Sequence, residues 1–169
     1  SAAEHFIPAF LELGGRLAAD LAPRDRPFSE DEVADAVEAL LPALEIGDTV
    51  FDDWYAASGY QGSAMDNGGA AALVHGEPVK DWRRLDLPNA RIDLHLNGQY
   101  MKSGYGRAAM GHPLTSLTWM ANWLRERGQT LQAGEIVSTG TCTGHFFAAP
   151  GDRLTVDFGE IGRVEVTYA

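Results

Sequence analysis

Residues 111–168 read GHPLTSLTWMANWLRERGQTLQAGEIVSTGTCTGHFFAAPGDRLTVDFGEIGRVEVTY. The order of signals in this stretch decides the fold. Leu114, Leu117, Met120, Ala121 and Leu124 recur at helical spacing, so His112–Arg127 reads as an amphipathic helix, with Gly128 just past its end. Trp119 and Trp123, at i and i+4, read as packing residues. Short apolar or alternating runs at 135–139, 153–158 and 162–168 read as strands. A turn dense in Gly and Thr, Gly140–Gly144, follows the first run, and Pro150-Gly151-Asp152 precedes the second.

Upstream, residues 8–21, PAFLELGGRLAADL, begin as a strand, and Gly14-Gly15 suits close backbone approach. Ser29 with Glu32 fits a capping box, so a helix starts there, with Val33, Ala36, Val37, Leu40 and Leu41 as its apolar stripe and Pro42 as its end. Residues 43–48 read as a short strand. Residues 50–68 carry Phe51, Trp54, Tyr55 and Tyr60 among glycines and read as a long ordered loop with a helical turn. Residues 70–76 form a strand. Arg91–Leu96 alternates, Asn97-Gly98 is a hairpin signal, and Gln99–Ser103 is the partner strand. No repeat, linker or low-complexity tract is visible. The pattern is one α+β domain, mainly β.

The chain has 169 residues, enough for one domain with a substantial core. Its 13 basic and 24 acidic residues give a net charge of −11, which argues against nucleic acid and anionic membrane as partners. No apolar run approaches the roughly 20 residues of a membrane span. The one cysteine, Cys142, excludes an internal disulfide and fits a reducing cytoplasm. An anionic substrate would need a local cation to offset the negative surface.

Glu12 and Glu45 sit in apolar strand-like contexts, LEL and LEI. Alternation could turn each to solvent. If buried, each needs a partner or a metal, because an isolated buried carboxylate is costly. Met65-Asp66-Asn67-Gly68 has turn chemistry. The hydroxyls and free N–H groups of Gly140-Thr141-Cys142-Thr143-Gly144 could form an anion-binding nest or a simple Gly-rich bend. Cys142 has no His at a diagnostic spacing and is set aside as a nucleophile. Lys102 follows the Asn97-Gly98 turn, as a solvated residue or a carboxylate partner. His112 precedes Pro113 at a helix start, where capping and site lining are both open.

The order and spacing of these pieces over 8–168 resemble the C-terminal half of the fumarylacetoacetate-hydrolase-like superfamily, and within it the 2-oxopent-4-enoate hydratase and 4-oxalocrotonate decarboxylase branch. The resemblance rests mainly on 42–49, 65–76 and 110–141. It implies the fumarylacetoacetase C-terminal-like mixed β-roll with flanking helices. Pro42-Ala43-Leu44-Glu45 resembles the segment bearing one of that family's acidic metal ligands. FLELGGRL resembles its Glu-x-Glu strand, placing Glu12 at the second ligand and Phe10 where the first would be. Asp48 resembles a nearby acidic position that could compensate.

On that resemblance the expected metal ligands are Glu12 and Glu45, holding Mg²⁺ or Mn²⁺, with no organic cofactor. Asp66, Lys102 and His112 are the candidate catalytic residues, and Phe10, Asn67, Thr141, Thr143 and Gly144 would contact substrate. Residues 1–169 are expected to be a single catalytic domain without the family's N-terminal region, which supplies a lid and acid/base residues. The implied activity is a lyase on a small 2-oxo or enol carboxylic acid: hydration, decarboxylation or tautomerisation through a dienolate. One alternative is a metal-independent member with an aromatic pocket around Phe10, Phe51, Trp54 and Tyr60, rearranging or cyclising a larger apolar intermediate. A second is a non-catalytic subunit of a full-length relative. A homodimer or larger oligomer, possibly with a related subunit, is expected.

Overall fold

The computed structural model describes residues 7–51 and 59–168, with side chains from residue 12 onward in the first of these segments. Two four-stranded antiparallel sheets form the frame. The first has the order β3-β2-β1-β6, built from β1 (Ile7–Leu17), β2 (Val37–Gly47), β3 (Ala70–His75) and β6 (Ile136–Ala148). The second has the order β5-β4-β7-β8, built from β4 (Arg91–Leu96), β5 (Gln99–Tyr105), β7 (Arg153–Asp157) and β8 (Arg163–Thr167). Among the described residues there are three α-helices: α1 (Glu30–Ala36), α2 (Gly59–Met65) and α3 (Pro113–Glu126). This is the mainly β, α+β fold expected.

One cluster of buried side chains joins sheets and helices. Leu13, Leu17 and Leu44 enter it from the first sheet, and Leu94, Leu154 and Val156 from the second. Val33 of α1 and Leu117 of α3 close it. Each such side chain, fully buried, stabilises by about 1.5–3 kcal/mol. Asn122 on α3 clamps the entry to α1, accepting from Phe28 N at 2.8 Å and donating to Phe28 O at 3.0 Å.

The capping box at Ser29 and Glu32 is present, yet α1 ends at Ala36. Val37–Leu41, read from sequence as helix, is instead the first half of β2, which is longer than the strand expected at 43–48. Both faces of β2 are packed: Val37, Leu40 and Leu44 enter the common cluster, and Ala39, Leu41 and Ala43 are fully buried as well, so nearly every residue is buried and no alternation shows. Pro42 lies inside this central strand. Its carbonyl accepts from Gly76 N at 2.9 Å. A residue's N–H and C=O point to the same side of a strand, so the N–H that Pro42 lacks faces the point where β3 ends.

A second correction concerns β6, which runs through the segment read as a Gly- and Thr-rich turn. Its register against β1 shifts twice, once between the pairs Phe10↔His145 and Glu12↔Thr141 and again before Gly14↔Ser138. These are bulges, where extra residues on one strand are left out of the ladder. Gly140 has φ +111, a region L side chains rarely adopt. Gly104 of β5 crosses β6 so closely that a Cβ there would lie 2.0 Å from the Cys142 carbonyl oxygen. The hairpin at Asn97-Gly98 and helix α3 stand where the sequence placed them. Trp119 and Trp123 do not pack into the core: they stack on each other at 6.4 Å on the outward face of α3, 52% and 38% exposed.

Candidate active site

Alternation along β1 and β2 sends Leu13 and Leu44 into the core and turns Glu12 and Glu45 to the opposite face of the first sheet. They do not reach bulk water equally. Glu12 is 4% exposed, whereas Glu45 is half-buried. The two carboxyl groups are in hydrogen-bond contact. Burial first, and the Glu12 charge second, push Glu45 up to about 7. Two ionised carboxylates this close repel, by about 4 kcal/mol at 4 Å in an effective dielectric of 20, so the pair needs a proton or a cation.

Strand β6 supplies the donors. Ser138 Oγ donates to Glu12 Oε2, and so does Gly140 N–H at 3.1 Å. The bulge frees that N–H from the ladder and aims it at the carboxylate. The β6 backbone is itself tied to its neighbours, with Thr139 Oγ1 donating to Leu13 O at 2.6 Å and Ser116 Oγ of α3 donating to Thr139 O at 2.6 Å. Beside the carboxyl pair lies an open cleft of about 280 Å³. Glu45 and Ser138 provide its polar lining, and Ala70–Ala72, Leu73 and Ile136 its apolar wall.

Phe10 pairs in register with Glu45 on one side and His145 on the other, and its side chain lies outside the described residues. Trp54 lies outside them too. Of the expected aromatic pocket, Phe51 is half-buried and Tyr60 is 93% exposed. Asp66 and Asn67 form the turn into β3, where Asp66 Oδ2 accepts from Val50 N at 3.2 Å and Asn67, at φ +51, is exposed. Asp48 accepts from Thr49 N at 2.8 Å and is exposed, which gives it a turn role.

Thr141 and Thr143 both donate their hydroxyls to Gly144 O, each at 3.2 Å, within a bulged strand rather than an open nest. A ligand carboxylate would have to win those hydroxyls from that carbonyl. Lys102 Nζ donates to His145 O at 2.8 Å, and burial lowers its pKa. Through the register His145–Phe10–Glu45, this anchors the ammonium two strands from Glu45, roughly 10 Å by the usual strand spacing. His112 caps α3, its Nδ1 accepting from Leu114 N at 3.0 Å. Burial, with the Glu12 charge second, pushes the Cys142 thiol up to about 12, so it stays protonated and inert.

Sequence reasoning missed Ser138, and it offered the N–H groups of Gly140–Gly144 to a ligand anion, whereas that of Gly140 goes to Glu12. The only local signal was a polar residue breaking the apolar run Ile136-Val137, and nothing tied it to a glutamate 126 positions away.

The family model described as fumarylacetoacetate (FAA) hydrolase C-terminal matches residues 7–168. The chain belongs to this family. It is similar to the 2-hydroxyhexa-2,4-dienoate hydratase of Comamonas testosteroni, 31% identical over 140 residues, covering 83% of this chain and 52% of that protein. It is also 29% identical to a 4-oxalocrotonate decarboxylase of Pseudomonas putida over 137 residues, 81% of this chain and 51% of that one. The chain thus spans about half the length of these curated relatives. The 4-oxalocrotonate decarboxylase of P. putida G7, solved with magnesium and adipate, superposes with a TM-score of 0.86 at 25% identity, covering 97% of this chain and 61% of that one. The same enzyme with calcium and acetate gives 0.83 at 26% identity, covering 97% and 60%.

Within this fumarylacetoacetate hydrolase family, the hydratase and decarboxylase relatives named above are lyase-type enzymes. Among the described residues of this chain, no group of three His, Cys, Asp or Glu side chains gathers to hold a metal. The donor set at Glu12 and Glu45 nonetheless fits a hard cation. Two facing carboxyls supply oxygen ligands, and Mg²⁺ commonly takes only one or two protein carboxylates and keeps its waters. No described helix is long and apolar enough to cross a membrane.

Proposed function

We propose that this chain carries the catalytic site of a lyase-type enzyme acting on a small 2-oxo or enol carboxylic acid, by hydration, decarboxylation or tautomerisation through a dienolate. The observation that carries this reading is the Glu12–Glu45 carboxyl pair, one member buried and the other opening on a cleft with an apolar wall. Glu12 and Glu45 are the residues that would hold Mg²⁺ or Mn²⁺. When bound, such a cation supplies the positive charge that a 2-oxo carboxylate and its enolate require.

The chain's own residues do the rest. Ala70–Leu73 and Ile136 offer an apolar wall to the hydrocarbon part of the substrate. Thr141, Thr143 and Gly144 lie along β6 where the carboxylate would rest. Lys102, with its lowered pKa, is suited to deliver the proton that C5 of a 2-hydroxy-2,4-dienoate must gain as its enol hydroxyl loses one. Asp66, on the turn into β3, is the alternative donor. His112 supports the site by fixing the start of α3, from which Ser116 holds β6. Self-association belongs to the same reading: Tyr100, Met101, Tyr105 and Met110 are exposed on and after β5, a surface a second copy would cover. A light-scattering mass of 18.3 kDa at all concentrations would remove that part.

The test is to mix the protein with 2-hydroxypenta-2,4-dienoate and Mg²⁺ or Mn²⁺ and follow the dienol absorbance. Metal-dependent loss of that absorbance is expected, abolished by Glu12→Gln. Failure to accelerate it with either metal, together with no heat of metal binding at millimolar concentration, overturns the reading.

A further inference from the structure

We infer that Ser138 is a positioning residue, whose hydroxyl locks the Glu12 carboxylate so that one oxygen is held by β6 and the other is presented to Glu45 and to any cation the pair binds. This deepens the proposed metal site and rests on it for its consequence, though not for its geometry.

A glutamate side chain has three rotatable bonds, and a buried one with no donors would have neither a fixed direction nor compensation for its lost hydration. At Glu12 both donors from β6, Ser138 Oγ and Gly140 N–H, converge on the same atom, Oε2. Two donors use the two lone pairs of that oxygen. Oε1 is thereby left for the carboxyl of Glu45 or for a cation. Charge-assisted bonds of this kind are roughly twice as strong as neutral ones.

The local sequence makes the reach possible. Ser138 pairs in register with Gly14, which has no side chain, so nothing stands between the hydroxyl and Glu12 two residues along β1. The bulge at Gly140 turns the second donor to the same point. Ser138 also lines the cleft, beside Glu45. Its hydroxyl has one proton, which goes to Glu12, so a ligand in the cleft would meet the oxygen of Ser138 as an acceptor.

The experiment uses the full chain as wild type, Ser138→Ala and Ser138→Thr, each first shown by its melting curve to be folded. Mn²⁺ binding is measured by calorimetric titration. Loss of a partner that orients a metal ligand costs 10–100-fold in affinity, so Ser138→Ala should weaken Mn²⁺ by about 10-fold or more, and Ser138→Thr should recover most of it. Unchanged affinity in Ser138→Ala overturns the inference, and so does a Thr variant as weak as the Ala variant. If the wild type itself binds no Mn²⁺, the metal reading of the site fails. Crystal structures of the wild type and Ser138→Ala then decide this inference alone. A Glu12 carboxylate swung away from Gly140 N upholds it, and an unmoved one overturns it.

Discussion

Replacing Glu45 by Gln should stabilise the metal-free protein above neutral pH while removing its response to divalent cations. Glu45 stands at about 7 in the folded chain against an ordinary value of 4.5. Its folded pKa is raised, so the stability it contributes is fully present below the unfolded value and is lost as pH rises through 7. A rise from 4.5 to about 7 corresponds to about 3 kcal/mol for a fully buried group. Glu45 is only half-buried, and solvent screening cuts this to about 1–2 kcal/mol. Gln cannot ionise, and its amide can donate to Glu12 as a protonated Glu45 would. At 2–4 °C per kcal/mol for a chain of this length, Glu45→Gln should melt about 2–8 °C higher than wild type at pH 8 in chelator. The difference should vanish near pH 5. Saturating Mn²⁺ should reverse the order, because a ligand at 100 times its Kd stabilises the wild type by about 2.7 kcal/mol. Scanning calorimetry at pH 5, 6, 7 and 8, with chelator and with Mn²⁺, reads all three effects. A variant that melts below wild type at pH 8 in chelator, or that keeps the wild-type slope between pH 5 and 8, refutes the reasoning.

Three further outcomes are expected. Phe10→Glu places a carboxylate at the register position opposite Glu45 and should tighten Mn²⁺ binding by about 10-fold, the order of the charge attraction available in a partly buried site; unchanged calorimetric affinity counts against a metal there. Gly104→Ala puts a Cβ 2.0 Å from the Cys142 carbonyl, a backbone atom that cannot step aside, and should lower the urea-derived stability by about 3 kcal/mol or more. His112→Ala removes the α3 cap and should cost about 1 kcal/mol with faster amide exchange in the first turn, while His112→Asn keeps most of both. If His112→Asn retains stability yet loses turnover, the imidazole acts on substrate and not only on the helix.

The parts of this fold legible in sequence were those whose signals are local. The Asn97-Gly98 hairpin depends on two turn residues between alternating runs, and α3 on a spacing within one helix. Val37–Leu41 was misread because its apolar residues fall at helical intervals by chance. A strand covered on both sides has no alternation to betray it. Glu12 and Glu45 were legible as polar residues in apolar strands, and the resemblance put them side by side. Ser138 was not, because its meaning depends on a register between strands far apart in the chain and on a bulge that no pattern of hydrophobicity encodes. The i, i+4 spacing of the α3 tryptophans makes them neighbours, and they do stack on each other, but it does not say which way they face, and the helix turns them outward.

Between the pairs Arg16↔Ile136 and Ile7↔Ala148, β1 spends ten residues where β6 spends thirteen. That surplus is slack woven into a sheet. Both ends of β6 are pinned to the same partner, so the stretch between them can gain or lose a residue without moving either end. An insertion in β1 has no such freedom, since it would flip Glu12 into the core and Leu13 out of it. The bulged stretch of β6 beyond the cleft is therefore open to revision in length, and the strand that bears the carboxylate is not. A lineage needing a new ligand could redraw 141–144 and keep its acid pair, as a tailor alters the pleat and leaves the seam.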